Sequence, residues 1–167
     1  MEVQTITCLI FILAISLALA VLSVRSLSEH KRLLVFRLGR FVDVRGPGWV
    51  FFIPFIDRTV EVDLREQERK VSESFMTREK MQIVVDLIWR FRIFDPAQSV
   101  LQIGSLEGAA KGIICMVLRK TLAEMYSTDL HMKRNWIAKE VETELGKILR
   151  NWGTELIGIE ILEFRGG

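Results

Sequence analysis

Hydrophobic and polar positions divide the chain into one long apolar stretch and a series of shorter patterned segments. After Met1 and Glu2, no charged residue occurs across residues 3–24. This stretch of about 22 residues would extend roughly 33 Å as a helix, close to the ~30 Å of a bilayer's hydrocarbon core. Residues 31–38 (KRLLVFRL) predict a strand that stops at Gly39. The turn Arg45-Gly46-Pro47-Gly48 comes next, because proline fixes φ and both glycines permit positive φ. Residues 49–56 then carry no polar side chain, far too short a run to span a membrane. From Arg58 onward, Val60, Val62 and Leu64 alternate with Thr59, Glu61, Asp63 and Arg65, the pattern of a half-buried strand.

The segment from Glu66 to Lys80 is polar and reads as a solvated strand edge with a hairpin turn. The clearest alternation follows: Ile83, Val85, Leu87, Trp89, Phe91 and Ile93 share one face, with Asp86, Arg90 and Arg92 on the other. A strand of that length belongs in the middle of a curved antiparallel sheet. Asp95-Pro96 predicts a switch to helix, with Asp as N-cap and Pro in the first turn, ending near Gly104. Ser105 caps a longer helix, in which Gly108 and Gly112 permit close packing and Ile113, Ile114, Val117 and Leu118 face inward. Thr128 or Asp129 caps a third helix whose stripe is Leu130, Ile137, Val141, Leu145, Ile148 and Trp152. Gly153 ends it, and residues 156–164 form a last strand. Strands, helices and a closing strand make an α+β domain with helices packed on one side of the sheet.

The 167 residues are half hydrophobic with a net charge of +2, and the apolar excess sits in the opening stretch. Removing it leaves about 143 residues, enough for one domain with a core. The stretch reads as an uncleaved transmembrane anchor over residues 1–24, with a domain over 25–167. A cleaved signal peptide would start with positive charge and have a shorter apolar region. Arg25, Lys31, Arg32, Arg37 and Arg40 follow the stretch, and no Lys or Arg precedes it. The positive-inside rule therefore places the N-terminus outside a cell (inner or plasma) membrane and the domain in the cytoplasm. Arg25, Lys31 and Arg32 are candidate contacts for anionic lipid headgroups. Cys8 and Cys115 lie in apolar surroundings that suit reduced thiols. No basic cluster with interleaved aromatics points to nucleic acid.

Four stretches resemble the stomatin/prohibitin family, also called SPFH or band 7 proteins, and the stomatin-like branch in particular. Residues 34–40 (LVFRLGR) are similar to the family's first strand after its anchor. Gly46-Pro47-Gly48 and the aromatic run to Ile56-Asp57-Arg58 resemble its turn and apolar loop. Val62-Asp63-Leu64-Arg65 is similar to the next strand. Val85-Asp86 and residues 91–96 (FRIFDP) resemble the long central strand and its exit to helix. The resemblance implies an SPFH domain behind an anchor, in a membrane-bound scaffold. Such proteins assemble side by side, enclose a membrane microdomain and regulate proteases, channels or lipids within it. Family members usually continue into a coiled-coil helix, for which no pattern is present before Gly167. The loop over residues 76–81 (MTREKM) is also more charged than the common stomatin form.

Three function classes follow. The first is an oligomeric scaffold with membrane lipid, further copies of the chain and integral membrane clients as partners. The second is a non-catalytic accessory subunit of a larger membrane complex. In either, the charged edge at residues 66–80 and the third helix are candidate contact surfaces. The third, an enzyme, lacks a constellation: His30 and His131 have no nucleophile beside them in sequence, and no cofactor or metal motif occurs. For Trp49, Phe51, Phe52 and Phe55 two readings compete: contact with the inner leaflet, where amphipathic aromatics suit the headgroup boundary, or burial in the domain core.

Overall fold

The computed structural model describes Gln4, Thr7, Ile10, Phe11, Leu13, Ala14 and residues 23–166. Those first six residues are helical, and the rest of the anchor expected over residues 1–24, Cys8 included, lies outside the described residues. Among the described residues no helix is long and apolar enough to cross a membrane. The anchor boundary expected at residue 24 overlaps the first strand, which Val24 opens.

The chain forms two compact units, Met1–Asp63 and Leu64–Gly167. The first contains β1 (Val24–Leu27), β2 (Lys31–Arg37), β3 (Arg40–Arg45), β4 (Gly48–Phe51) and β5 (Asp57–Asp63). β1 pairs antiparallel with β4, and β2 lies between β3 and β5, antiparallel to both. Leu33, Leu34 and Val35 of β2 are all buried, so this strand is covered on both faces and cannot show alternation in sequence. Leu27, Leu33 and Val50 form the cluster that joins the small sheet to the larger one. Gly46 (φ +117) and Gly48 (φ +102) take the positive φ values that the turn requires, around a cis Gly46–Pro47 bond. A Cβ on Gly46 would sit 3.2 Å from the Lys31 carbonyl oxygen, so glycine is also needed there for space.

The second unit holds β6 (Gln67–Met76), β7 (Gln82–Ile93) and β8 (Thr154–Gly166), with α1 (Pro96–Leu101), α2 (Leu106–Ala123) and α3 (Arg134–Asn151). β7 is central, antiparallel to both neighbours. Its alternating apolar face, from Ile83 to Ile93, is buried throughout. α2 packs against β6, and α3 packs against β8. Edge positions on β6 that would otherwise be solvated reach α2 through ion pairs: Arg69 Nε to Glu107 Oε1 at 2.6 Å and Lys111 Nζ to Glu73 Oε1 at 2.5 Å.

Several expectations need correction. The single curved sheet is three sheets among the described residues, of two, three and three strands. Pairing of β2 with both β3 and β5 completes one sheet before β6 begins. Thr128 and Asp129 do not cap α3; they lie in a 3-10 turn, Ser127–Asp129, and α3 starts at Arg134 without a side-chain cap. Its buried stripe runs Ile137, Val141, Leu145 and Leu149, so Leu149 takes the inward place expected of Ile148. Gly112 has nothing within 4 Å of where a Cβ would stand, and close packing does not explain it. Asp86, expected on the solvent side of β7, is buried under its neighbours.

The helix starts at Asp95 and Ser105 are as the caps predict: Asp95 accepts from the Ala97 and Gln98 amides, and Ser105 accepts from Gly108. The β8 strand begins where Gly153 (φ +64) breaks α3. The Gly153 carbonyl accepts from both the Phe94 and Asp95 amides at 2.9 Å. A Cβ there would lie 2.4 Å from the Asp95 carbonyl oxygen, so the entry to α1 and the exit from α3 meet on a bare backbone.

Candidate functional site

The first unit gathers several exposed apolar side chains at one end. Register fixes which end. Arg37, the last residue of β2, is opposite Arg40 on one side and Asp57 on the other. The turn at Leu38-Gly39 and the loop over residues 52–56 therefore emerge together, and the Leu38 amide donates to the Ile56 carbonyl at 3.4 Å. The N-terminal stretch arrives at the same place. Val24 pairs with Phe51, and the Phe52 amide donates to the Ser23 carbonyl at 2.9 Å.

At this end Phe55 is 96% exposed and Leu38 84% exposed, with Phe51 at 64%, whereas Trp49, also exposed, stands next to Gly48 and opposite Ser26, back toward the other end of β4. Ile53 and Ile56 are exposed as well. Phe52 alone of the four singled-out aromatics is half-buried, and Arg25 lies over its ring at 5.8 Å from the centroid. Phe55 (φ +71) and Leu38 (φ +49) both adopt the left-handed backbone region. Bulky residues rarely do so, since it costs about 1–2 kcal/mol. Two large apolar side chains thus stand outward at backbone positions better suited to glycine.

The loop is tied down from beneath. Asp57, whose side chain is fully covered, accepts two bonds from Arg37, at 2.7 Å and 3.0 Å, and one from the Ile53 amide at 2.9 Å. The Arg37 guanidinium first, and then the Ile53 amide, hold its carboxyl at about 2, well below its ordinary 3.8. Arg45 donates to the Phe51 carbonyl. Phe36 and Phe41 meet edge to face, 5.8 Å apart, just behind the turn.

Of the three basic residues picked out for headgroups, only Arg25 belongs to this end. Lys31 is opposite Asp63 at the far end of β2 and pairs with Glu61 at 2.5 Å. Arg32 bonds the Glu29 and Lys31 carbonyls. The seven-residue strand carries them away from Arg37, by roughly 20 Å at ~3.3 Å per residue. The Gly46-Pro47-Gly48 turn is also at the far end, beside Lys31. Exposed Arg40 and Arg58 flank the apolar end instead. Arg40 is among the five early basic residues that suit headgroups, but sequence reasoning missed Arg58 and Leu38, although an apolar residue immediately before a turn glycine was a usable sign.

The family model described as SPFH domain / Band 7 family matches residues 25–165. The chain belongs to this family. It is 31% identical over 144 residues to Stomatin-1 of Caenorhabditis elegans, covering 85% of this chain and 44% of that protein. A stomatin homolog of Pyrococcus horikoshii is 32% identical over 140 residues, covering 83% and 53%. Human stomatin-like protein 1 is 30% identical over 133 residues, covering 79% and 33%. The chain spans about half the length of the curated relatives it matches, or less.

The SPFH match runs from Arg25 in β1 to Arg165 in β8, so it takes in both units. In the second unit of this SPFH chain, Asp86 joins three strands. It accepts from Ser72 of β6 and Arg165 of β8, with Lys70 Nζ at 3.6 Å. Ser72's hydroxyl foremost, supported by Arg165 and Lys70, keeps its carboxyl below the ordinary range. These partners occupy both of its carboxylate oxygens. Among the described residues no group of three or more His, Cys, Asp or Glu could hold a metal ion. The His131 ring packs edge to face on Phe164 at 5.7 Å, and burial pushes the Cys115 thiol up.

Proposed function

We propose that this SPFH chain is a membrane-anchored, non-catalytic scaffold whose first unit lies with its apolar end in the cytoplasmic leaflet. The apolar residues before Val24 supply the anchor, the N-terminus is outside, and copies of the chain associate around membrane proteins such as a protease or channel and regulate them. The observation that carries the reading is the shared location of Ser23 and Val24, which follow the apolar stretch, with Phe51, Phe55 and Leu38 at one end of the first unit. An aqueous surface gains nothing from a phenylalanine held at positive φ and almost wholly exposed. At a headgroup–acyl boundary the same side chain is transferred out of water, worth about 1.5–3 kcal/mol for a fully buried phenylalanine. Arg25, Arg40 and Arg58 would then stand at headgroup depth, where each basic residue contributes about 1 kcal/mol toward an anionic surface. Lys31 and Arg32 are candidates for headgroup contact only with this unit tilted, since β2 carries them away from the apolar end.

The test uses the full chain, with Cys8 and Cys115 changed to Ser and an environment-sensitive dye on Phe55→Cys. Reconstituted in liposomes, the dye should shift to the blue and be quenched by lipids carrying a quencher on the acyl chain. A water-like spectrum without lipid quenching, in a correctly folded sample, would remove the membrane-contact reading.

A further inference from the structure

The two edges of the sheet β6-β7-β8 are built differently. β8 is irregular: its register with β7 shifts twice, between Asp86 and Leu87 and between Arg90 and Phe91. Arg134 of α3 also occupies the Ile161 and Leu162 carbonyls. Bulges and capped carbonyls are devices that keep another strand from adding. β6 has neither. It runs ten residues in unbroken register with β7, contains no Gly or Pro, and has no strand on its other side among the described residues. A long, unbulged edge is a template for one more strand.

The charges along β6 indicate which strand. Its sequence is QERKVSESFM. When two copies of it run antiparallel with Val71 opposite Val71, Arg69 of each faces Glu73 of the other. Lys70 then faces Ser72, Glu68 faces Ser74, and Gln67 faces Phe75. No like charges meet, and opposite charges meet twice. Sliding the pair so that Lys70 meets Lys70, or Arg69 meets Arg69, opposes like charges at the axis, which destabilises a cross-strand pair. A register centred on Ser72 avoids repulsion but forms no ion pair. The intrachain pairs Arg69–Glu107 and Lys111–Glu73 would continue across the axis as an alternating row.

We infer that β6 is a self-complementary contact: two copies of this chain join edge to edge through antiparallel β6 strands centred on Val71, so that their two sheets become one continuous sheet. The two-fold makes the contact isologous, and the same patch serves both copies. This rests on the scaffold reading above, for which it supplies an assembly surface.

The experiment measures the mass of the full chain in nanodiscs and in mild detergent, beside two variants at one exposed position. Ser74→Glu would set a second carboxylate against Glu68 twice per interface, whereas Ser74→Lys would set an ammonium group against Glu68 twice. The Ser74 side chain is exposed, so neither change disturbs the core, and circular dichroism confirms that both fold. The Glu variant should weaken association about tenfold or more, and the Lys variant should keep or tighten it. In a chain lacking Cys8 and Cys115, Glu68→Cys combined with Ser74→Cys should also give a covalent dimer on mild oxidation, while either cysteine alone should not. These two positions are about six residues apart on one strand, about 20 Å, too far to bridge within one copy. An assembly that forms equally in both charge variants and does not cross-link overturns this interface and leaves the scaffold reading standing. A folded monomer at all concentrations overturns both.

Discussion

Phe55 and Leu38 show a conflict between backbone preference and side-chain choice. Both sit in turns where glycine would be free of strain, and both are nearly bare. Removing the strain is worth about 1–2 kcal/mol, offset by about 0.5–1 kcal/mol of glycine's extra freedom in the unfolded chain. Phe55→Gly and Leu38→Gly should therefore fold as stably as the parent or up to about 1.5 kcal/mol more so, by chemical denaturation. Both should lose contact with liposomes. A marked loss of stability would mean that these side chains pack against something in the folded protein. Asp57 beneath them gives a pH prediction. Its folded pKa of about 2 lies below the ordinary 3.8, so the bonds to Arg37 and Ile53 contribute fully above about pH 4. That contribution is lost as pH falls through about 2. The Ile53 amide resonance should titrate with a midpoint near about 2, and Asp57→Asn should remove the transition.

Elements are pinned together by few contacts, and those contacts are where the chain tolerates least. Gly153 is the clearest. A methyl group there would meet the Asp95 carbonyl at 2.4 Å and Asp95 Cβ at 2.7 Å, at a φ of +64. Neither neighbour can give way, because both belong to the start of α1. Gly153→Ala should cost about 2–4 kcal/mol, combining left-handed strain with overpacking, measured as a shift in denaturation midpoint. Gly112→Ala, in the open on α2, should be neutral or slightly stabilising, by up to about 1 kcal/mol. The contrast separates a glycine required by geometry from one that is merely present. Sequence patterning located both glycines yet assigned close packing to Gly112. Whether an absent side chain has a neighbour depends on the fold around it, and spacing carries no record of that.

For the molecule as a whole, each unit depends on one strand with neighbours on both sides: β2 in the first and β7 in the second. Their amides should exchange with solvent most slowly, at Leu34 and Val35 and at Leu87, Trp89 and Phe91, with residues 52–56 among the fastest. Uniform exchange along the chain would contradict this division.

The sequence alone was sufficient for the family, for the central strand β7 and its buried face, for the caps at Asp95 and Ser105, and for the break at Gly153. Each of these is a local signal: a period of two, a capping side chain, a residue that tolerates positive φ. Tertiary structure alone decided the rest. The strand at residues 31–38 was legible and is β2, but its burial on both faces was not, and β1, β3 and β4 are short strands defined by their partners. Thr128 and Asp129, good caps by composition, were overridden by a turn that delays α3 to Arg134. Asp86 became buried because Ser72, Lys70 and Arg165 converge on it from two other strands. Most of all, strand register brought Phe55, Leu38, Arg40 and Arg58 to one end of the first unit and carried Lys31 and Arg32 to the other. Pairing between distant segments sets that arrangement, and its effect on neighbouring residues cannot be read from their order along the chain.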